Sequence, residues 1–194
     1  MANDAFEGKV HWSGEHWINY LRRSGETVDS GSFSLYHTRY SEAGEGSVAF
    51  VIIPDAGIDV TYTDNREMAQ WTFENMICGR GNQFDHEMPV TDASVRRTGD
   101  IRTSPSWTIA SDDHAIASTW TVSEPAVIHW GSAPSGMENI QIFSLLHFTG
   151  DTELTCDGRP IDGQAYTRDI WRSSIGGDRS SCVFALAETF VSAG

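Results

Sequence analysis

The sequence predicts an all-β protein whose strands close into a single antiparallel barrel. Short apolar or alternating segments, rich in Val, Ile, Thr and aromatic residues, recur about every ten residues along the chain. Gly, Asp, Ser and Pro separate them, as in hairpin turns. A barrel is favoured over a sandwich or jelly roll because seven tryptophans need a large enclosed volume. Polar residues also interrupt both faces of several strands, which is typical of a partly polar cavity.

About ten segments are predicted to be strands. In chain order they are HWINYL, SFSLYHTRY, SVAFVII, IDVTYT, SWTIA, AIASTWTVS, AVIHW, NIQIFSLLHF, AYTRDIW and SCVFALAETF. One segment differs: in residues 65–78, Met68, Trp71 and Asn75 recur at helical spacing, which predicts one short helix or a lid. No repeat or linker divides the chain, so we expect one domain over residues 1–194.

Composition excludes several classes of partner. The formal net charge is −14, with 27 acidic against 13 basic residues, which disfavours nucleic acid and anionic lipid surfaces. No apolar run reaches the length of a membrane span, so no membrane partner is expected. The start, MANDAFEGKV, lacks a basic region followed by an apolar one, which predicts a cytoplasmic protein.

The sequence predicts no metal, cofactor or disulfide. Cys78, Cys156 and Cys182 lack CxxC spacing and are expected to be reduced thiols. The seven histidines form neither an HxH nor an HExxH motif. GxSxG is also missing, which argues against a serine hydrolase.

Two predicted strands offer candidate site residues. In NIQIFSLLHFTG, Phe143 and His147 alternate on one face, and the opposite face is nearly all apolar. We therefore expect the first face to line a cavity, with a structural, hydrogen-bonded role as the alternative for His147. In VIHWGS, His129 and Trp130 point to opposite faces, so only one of them points inward, and either orientation remains open. Trp120 is expected to be core or a wall for a ligand.

The segment IDGQAYTRDIW is predicted to be a strand that forms one wall of a site. Tyr166 and Arg168 would share one face, and Asp169 and Trp171 the other. Either face carries a charge beside an aromatic ring, and a buried charge needs a partner.

From about residue 93 onward, the chain resembles the lipocalin-like family that includes carotenoid 1,2-hydratase and the AttH-like proteins. The residues that carry the resemblance are Asp157, Gly158, Arg159, Gly163, Tyr166 and Trp171, in DGRPIDGQAYTRDIW. In that family a "dG" turn leads to a strand of the form G-x-G-Y-x-D-x-x-W-G.

The match to this motif is partial. Ala165 replaces the second glycine, Arg172 replaces the last one, and Arg168 stands where the acidic partner of the tyrosine is expected, with Asp169 next to it. Family members also carry two consecutive lipocalin-like halves, whereas 194 residues suffice for one barrel.

The resemblance implies a lipocalin-like barrel with an apolar interior and acid–base chemistry without a cofactor. Tyr166 would be the proton donor or acceptor, with Trp171 as an aromatic wall. In a regular strand Arg168 shares the face of Tyr166, whereas a β-bulge would bring Asp169 to that face.

Together these inferences favour a cofactor-independent lyase, hydratase or isomerase that acts on a hydrophobic or aromatic small molecule. The catalytic candidates are Tyr166, His147, Asp169, Arg168 and His129. The substrate-binding candidates are Trp120, Trp130, Phe143 and Trp171. The alternatives are a binding protein of the same fold and a barrel filled by its own aromatic residues. The sequence leaves the substrate, the bond broken and the oligomeric state open, a homo-oligomer included.

Overall fold

The computed structural model describes residues 8–133, 137 and 139–193. In chain order the strands are β1 (Gly8–Leu21), β2 (Gly31–Ser41), β3 (Gly46–Ile53), β4 (Ile58–Thr63), β5 (Val90–Asp92), β6 (Ser94–Asp100), β7 (Ser104–Ala110), β8 (Ala115–Trp120), β9 (Val127–Ser132), β10 (Ile140–Thr149), β11 (Thr152–Cys156), β12 (Arg159–Pro160) and β13 (Cys182–Ala193). The helices are α1 (Arg66–Thr72), which continues as a π-helical turn over Phe73–Ile77, and α2 (Ile170–Ser174), and a 3-10 turn covers Pro54–Ala56.

The strands form two sheets. The large sheet has the order β5-β4-β3-β2-β1-β13-β10-β9, and the small sheet has the order β12-β11-β8-β7-β6. Neighbouring strands are antiparallel except β4 and β5, which are parallel. The all-β class is therefore confirmed. The closed barrel is not, because neither sheet closes on itself within the described part of the chain.

The small sheet packs on one face of the large sheet through side chains. Trp120 Nε1 donates to the Ile18 carbonyl oxygen at 2.9 Å, and Asn19 Nδ2 donates to Ser118 Oγ at 2.9 Å. Trp17 stacks on Phe184, with ring centroids 4.3 Å apart. Three of the seven tryptophans that suggested a hollow barrel, Trp17, Trp107 and Trp120, instead fill the space between the two sheets, as close-packed interiors require.

The opposite face of the large sheet is also covered. Met68, Met76, Phe84 and Trp171 come from the segments that contain the two helices, and they join one buried cluster with residues of β1, β2, β3, β10 and β13. A strand covered on both faces buries nearly every residue, which explains why β3 has only two residues that are not fully buried. Some of the polar residues that interrupt these strands, among them His16, Ser34 and Glu188, line the space under the helical segments.

The helix predicted within residues 65–78 is confirmed. Asn65 caps it, because its Oδ1 accepts a hydrogen bond from the Met68 amide at 3.1 Å. Met68 and Ala69 are buried against the sheet. None of the helices in the described ranges is both long and apolar enough to cross a membrane.

The prediction of a strand at AYTRDIW is wrong. Residues 161–169 are irregular and contribute only two isolated bridges, Arg22 with Gln164 and Thr167 with Ser180, before α2 begins. Hydrogen bonds join the Tyr166 backbone to Ser181: the Tyr166 amide donates to Ser181 Oγ at 3.0 Å, and the Ser181 amide donates to the Tyr166 carbonyl at 2.6 Å. The segment thus leads across the end of the sheet toward its helix-covered face.

Candidate functional site

A cavity of about 480 Å³ lies between the large sheet and the helical segments that cover it. Its floor consists of strands β1, β2, β10 and β13, with Ile18, Ile142, Leu146 and Phe190 as apolar contacts. Residues 76–77, 80–84, 168, 170 and 171 form its roof. This volume lies in the range of pockets that hold a small organic molecule.

A row of polar side chains crosses the cavity floor from strand to strand. We call His129, Ser144, Glu188, His16 and Tyr36 the polar row. His129 of β9 is paired with Ser144 of β10, Ser144 is paired with Glu188 of β13, and His16 of β1 is paired with Tyr36 of β2. All five residues line the cavity. The register of the sheet therefore brings together groups that are far apart in the sequence.

A β-bulge in β13 places Glu188 in this row. Opposite both β1 and β10, the register moves from Glu188 to Ala185, three positions, while each partner strand moves two. Val183 and Ala185 face the cavity side before the bulge, and Glu188 and Phe190 face it afterwards. Without the extra residue, Glu188 would point to the opposite face.

His16 is held by polar groups on both sides of its ring. His16 Nδ1 lies 3.4 Å from Glu188 Oε1, and His16 Nε2 lies 3.1 Å from Ser34 Oγ. Ser144 Oγ donates to the other carboxylate oxygen, Glu188 Oε2, at 2.6 Å. The imidazole stacks on Tyr36, with centroids 4.0 Å apart and planes 15° apart. These contacts fix the position of the ring and leave little rotational freedom to lose when a ligand binds.

Two phenols beside His16 remain protonated. Burial raises the pKa of Tyr20 and raises the pKa of Tyr36 well above its usual value, while the charge of Arg168 and hydrogen bonding with Ser34 act in the opposite direction. Arg168 lies over the Tyr20 ring, with its guanidinium carbon 4.9 Å from the centroid. The site therefore offers neutral hydroxyl donors next to a cation.

Ser34, His16 and Glu188 also stand in the order of a nucleophile, a base and an acid. Ser34 is in the middle of β2, which pairs with both β1 and β3, so the sheet ladders use the backbone amides around it. In acyl transfer, free backbone amides beside the nucleophile commonly bind the developing oxyanion, and those beside Ser34 are already used. The surroundings of Ser34 therefore suit proton transfer better than nucleophilic attack.

Three residues singled out in the sequence line this cavity: Arg168, His129 and Trp171. His129 Nε2 and Trp171 Nε1 are buried and have no hydrogen-bond partner among the described residues. Between His129 and Trp130, the structure turns His129 inward. Arg168, and not Asp169, faces the cavity; the Asp169 side chain is 88 % exposed and pairs with Arg172 at 3.1 Å.

Tyr166 lies outside the cavity lining. Its hydroxyl donates to Asp29 Oδ2 at 3.0 Å, and the Arg22 guanidinium carbon stands 3.8 Å from its ring centroid. Arg22 Nη2 also binds Asp29 Oδ1 at 2.8 Å. Burial and the neighbouring Asp29 charge raise the pKa of Tyr166. These contacts join residues 161–169 to the β1–β2 connection, which is a structural role.

His147 lies on the face of the large sheet opposite the cavity, and Trp120, in β8 of the small sheet, packs against that face. His147 stacks on Phe184, with centroids 4.9 Å apart, and Phe184 belongs to the cluster between the sheets. Burial lowers the pKa of His147. Trp120 is fully buried in that same cluster. The expectation that His147 and Tyr166 face one interior is therefore wrong, because they lie on different parts of the fold.

Trp130 and Phe143 are surface residues. Trp130 is 50 % exposed and Phe143 38 % exposed, and their ring centroids lie 6.4 Å apart on paired positions of β9 and β10. Phe143 does share a face with His147, as the alternation predicts. That face is not a cavity wall.

Sequence reasoning missed His16, Tyr20, Ser34, Tyr36, Ser144 and Glu188. Alternation in HWINYL places His16, Ile18 and Tyr20 on one face. Glu188 follows the apolar run CVFALA, and a carboxylate inside a predicted core strand is a signal for a site. Both signals are visible in the sequence, but only the strand order shows that they belong together.

One further cluster lies at the surface of the small sheet. Ligand atoms of His114, Cys156 and Asp157 lie within 4.8 Å of one another. Asp157 Oδ2 lies 3.0 Å from His114 Nδ1, and Asp157 Oδ1 accepts from the Ala115 amide at 2.8 Å. The carboxylate thus closes the loop between β7 and β8 onto the end of β11, and its hydrogen bonds account for the cluster.

No protein-family model and no curated protein matches this chain.

Proposed function

We propose that the protein is a cofactor-independent lyase, hydratase or isomerase that moves protons on a hydrophobic small molecule bound in this cavity. The observation that carries the proposal is His16, held between Glu188 and Ser34 on the floor of a cavity lined by both polar and apolar side chains. Imidazole is the side chain that most readily exchanges a proton near neutral pH. The apolar walls would hold the carbon skeleton while the polar row acts on it.

Each polar group has a distinct role in this proposal. Glu188 Oε1 lies 3.4 Å from His16 Nδ1, and its negative charge holds this side of the ring, so that Nε2 points toward Ser34. A proton leaving the ligand reaches His16 Nε2 directly or through the Ser34 hydroxyl. The protonated Tyr20 and Tyr36 phenols are hydrogen-bond donors for charge that develops on a ligand oxygen. This division into a base and neutral donors suits hydration, elimination and double-bond migration.

The test is conversion of small molecules in deuterated water. A cell extract rich in apolar compounds is incubated with the wild type, with His16→Gln and with the control His11→Gln. His11 lies on the same strand, and its Nε2 contacts Ser192 Oγ at 2.8 Å, away from the cavity lining. Mass spectrometry should show deuterium uptake, or gain or loss of water, in a compound treated with wild type.

We expect His16→Gln to lower that rate by roughly 10²- to 10⁴-fold, the usual contribution of one general acid or base. His11→Gln should keep the wild-type rate. Full activity in His16→Gln would exclude this assignment. A compound that is retained but never altered would instead favour the alternative, a binding protein for a hydrophobic molecule.

A further inference from the structure

The cavity contains a cation without a counter-ion. Arg168 is half-buried in the roof and makes no ion pair with any residue of the described chain. Its closest aromatic contact is the face of Tyr20, at 4.9 Å. By contrast, Arg22 binds Asp29 at 2.8 Å and Arg172 binds Asp178 at 2.6 Å. In a chain with 27 acidic and 13 basic residues, an unpaired arginine facing a cavity needs an explanation.

The carboxylate of the cavity does not supply that counter-ion. Glu188 is 4 % exposed, and its two oxygens already contact His16 and Ser144. Burying a guanidinium beside apolar walls without a partner costs free energy, and a bound anion would recover it. The planar guanidinium offers a fork of donors that matches a carboxylate.

We propose that the ligand of this cavity is an apolar molecule with one carboxylate, which binds Arg168. This inference rests on the proposed function for the reacting end of the ligand, which would lie over His16. The apolar floor holds the hydrocarbon part, and neutral Tyr20 adds a hydroxyl donor near the carboxylate. Arg80 is a second arginine in the cavity lining, so a phosphate monoester is the competing anion that the test includes.

The test measures binding at equilibrium, so its outcome does not depend on turnover. Isothermal titration calorimetry compares decanoate with decanol, which share an apolar chain and differ in the anionic group. The proteins are the wild type, Arg168→Gln, Arg168→Lys and the control Arg172→Gln. The control removes the same charge from the same part of the chain, but Arg172 does not line the cavity. Circular dichroism verifies that each variant is folded.

We expect the wild type to bind decanoate at least about tenfold more tightly than decanol, because one charge-assisted hydrogen bond contributes enough free energy for such a difference in affinity. Arg168→Gln should abolish this preference, Arg168→Lys should keep part of it, and Arg172→Gln should keep all of it. Equal affinities in the wild type, a preference that persists in Arg168→Gln, or no binding of either probe would each overturn the inference. Dodecyl phosphate binding more tightly than decanoate would also overturn it.

Failure of this inference is distinguishable from failure of the proposed function. His16→Gln should bind decanoate with the wild-type preference, because the imidazole does not touch Arg168 in the described contacts. If the carboxylate preference is missing while His16→Gln still loses turnover, only the ligand class is wrong. If the preference follows Arg168 while His16→Gln keeps full turnover, only the proton-transfer assignment is wrong.

Discussion

His16 Nδ1 and Glu188 Oε1 lie 3.4 Å apart, although 171 positions separate these residues in the chain. Their contact depends on the pairing of β1 with β13, the first and last strands, and on the bulge that turns Glu188 to the cavity side. Both residues are polar groups on a face that also packs a cluster of buried apolar side chains. Compared with well-packed apolar residues in the same place, the pair carries a cost in stability, which function would have to justify.

Removing the carboxylate should destabilise the fold. In Glu188→Ala, Ser144 and His16 lose their common partner in a buried site, so we expect the free energy of unfolding to fall by about 3 kcal/mol. Urea denaturation followed by tryptophan fluorescence measures the change. The exposed Glu153 provides the control, because Glu153→Ala should stay within about 0.5 kcal/mol of wild type. Equal stability of the two variants would show that Glu188 is not held by these contacts.

Tyr166 should matter for stability and not for chemistry. Tyr166→Phe removes one hydrogen bond to Asp29, so we expect a loss of about 1 kcal/mol in the free energy of unfolding. Turnover and decanoate affinity should be unchanged, because Tyr166 does not line the cavity. Tyr40→Phe, at a 51 % exposed position, is the control for the substitution itself. A folded Tyr166→Phe protein with a strongly reduced rate would contradict this structural role.

His147 should make stability depend on pH. Burial lowers its pKa in the folded protein below the usual 6.5, so the unfolded chain binds the proton more readily. The stability that neutral His147 contributes is therefore complete above about pH 6.5. It decreases as the pH falls from the pKa of the unfolded state to that of the folded state. His147→Phe should show a shallower decrease in urea midpoints over that interval. Burial also lowers the pKa of His37, which leaves a residual slope in the variant.

At neutral pH, His147→Phe should also be more stable than wild type by about 1 kcal/mol. His147 Nδ1 is buried without a partner in the described chain, and phenylalanine keeps the stacking on Phe184 while removing that unpaired atom. Identical pH profiles of wild type and variant would refute the assignment of the slope to His147.

Gly163 should be required for the backbone conformation of the segment that carries Arg168. Its φ is 141°, and a Cβ there would lie 2.5 Å from Ser30 Oγ and 3.1 Å from the Arg22 amide. Gly163→Ala should therefore cost about 3 kcal/mol. Gly177 has a φ of 77° and open space around it, so Gly177→Ala should cost about 1 kcal/mol. Thermal unfolding of both variants measures the difference, and equal midpoints would show that the contact at Gly163 is relieved by a small shift.

Local patterns in the sequence were sufficient for several features. The all-β class follows from β-branched and aromatic segments separated by turn residues, because both signals are local. The helix at residues 66–72 lies within the segment where Met68, Trp71 and Asn75 recur at helical spacing. Alternation in β10 correctly placed Phe143 and His147 on one face, since successive side chains of a strand always point to opposite sides.

Only the tertiary structure decided which of those faces is a site. The face of β10 that carries His147 packs toward the small sheet, and the opposite face, with Ser144, lines the cavity. Alternation in the sequence defines both faces but does not show what each one packs against. The sequence by itself determined that AYTRDIW contains groups that need partners, and Arg168 and Trp171 do reach the cavity. It did not determine that Glu188 joins His16. That contact requires the pairing of β1 with β13 and one extra residue in β13. The residues close to His16 or to Glu188 in the chain do not by themselves determine this pairing or its register.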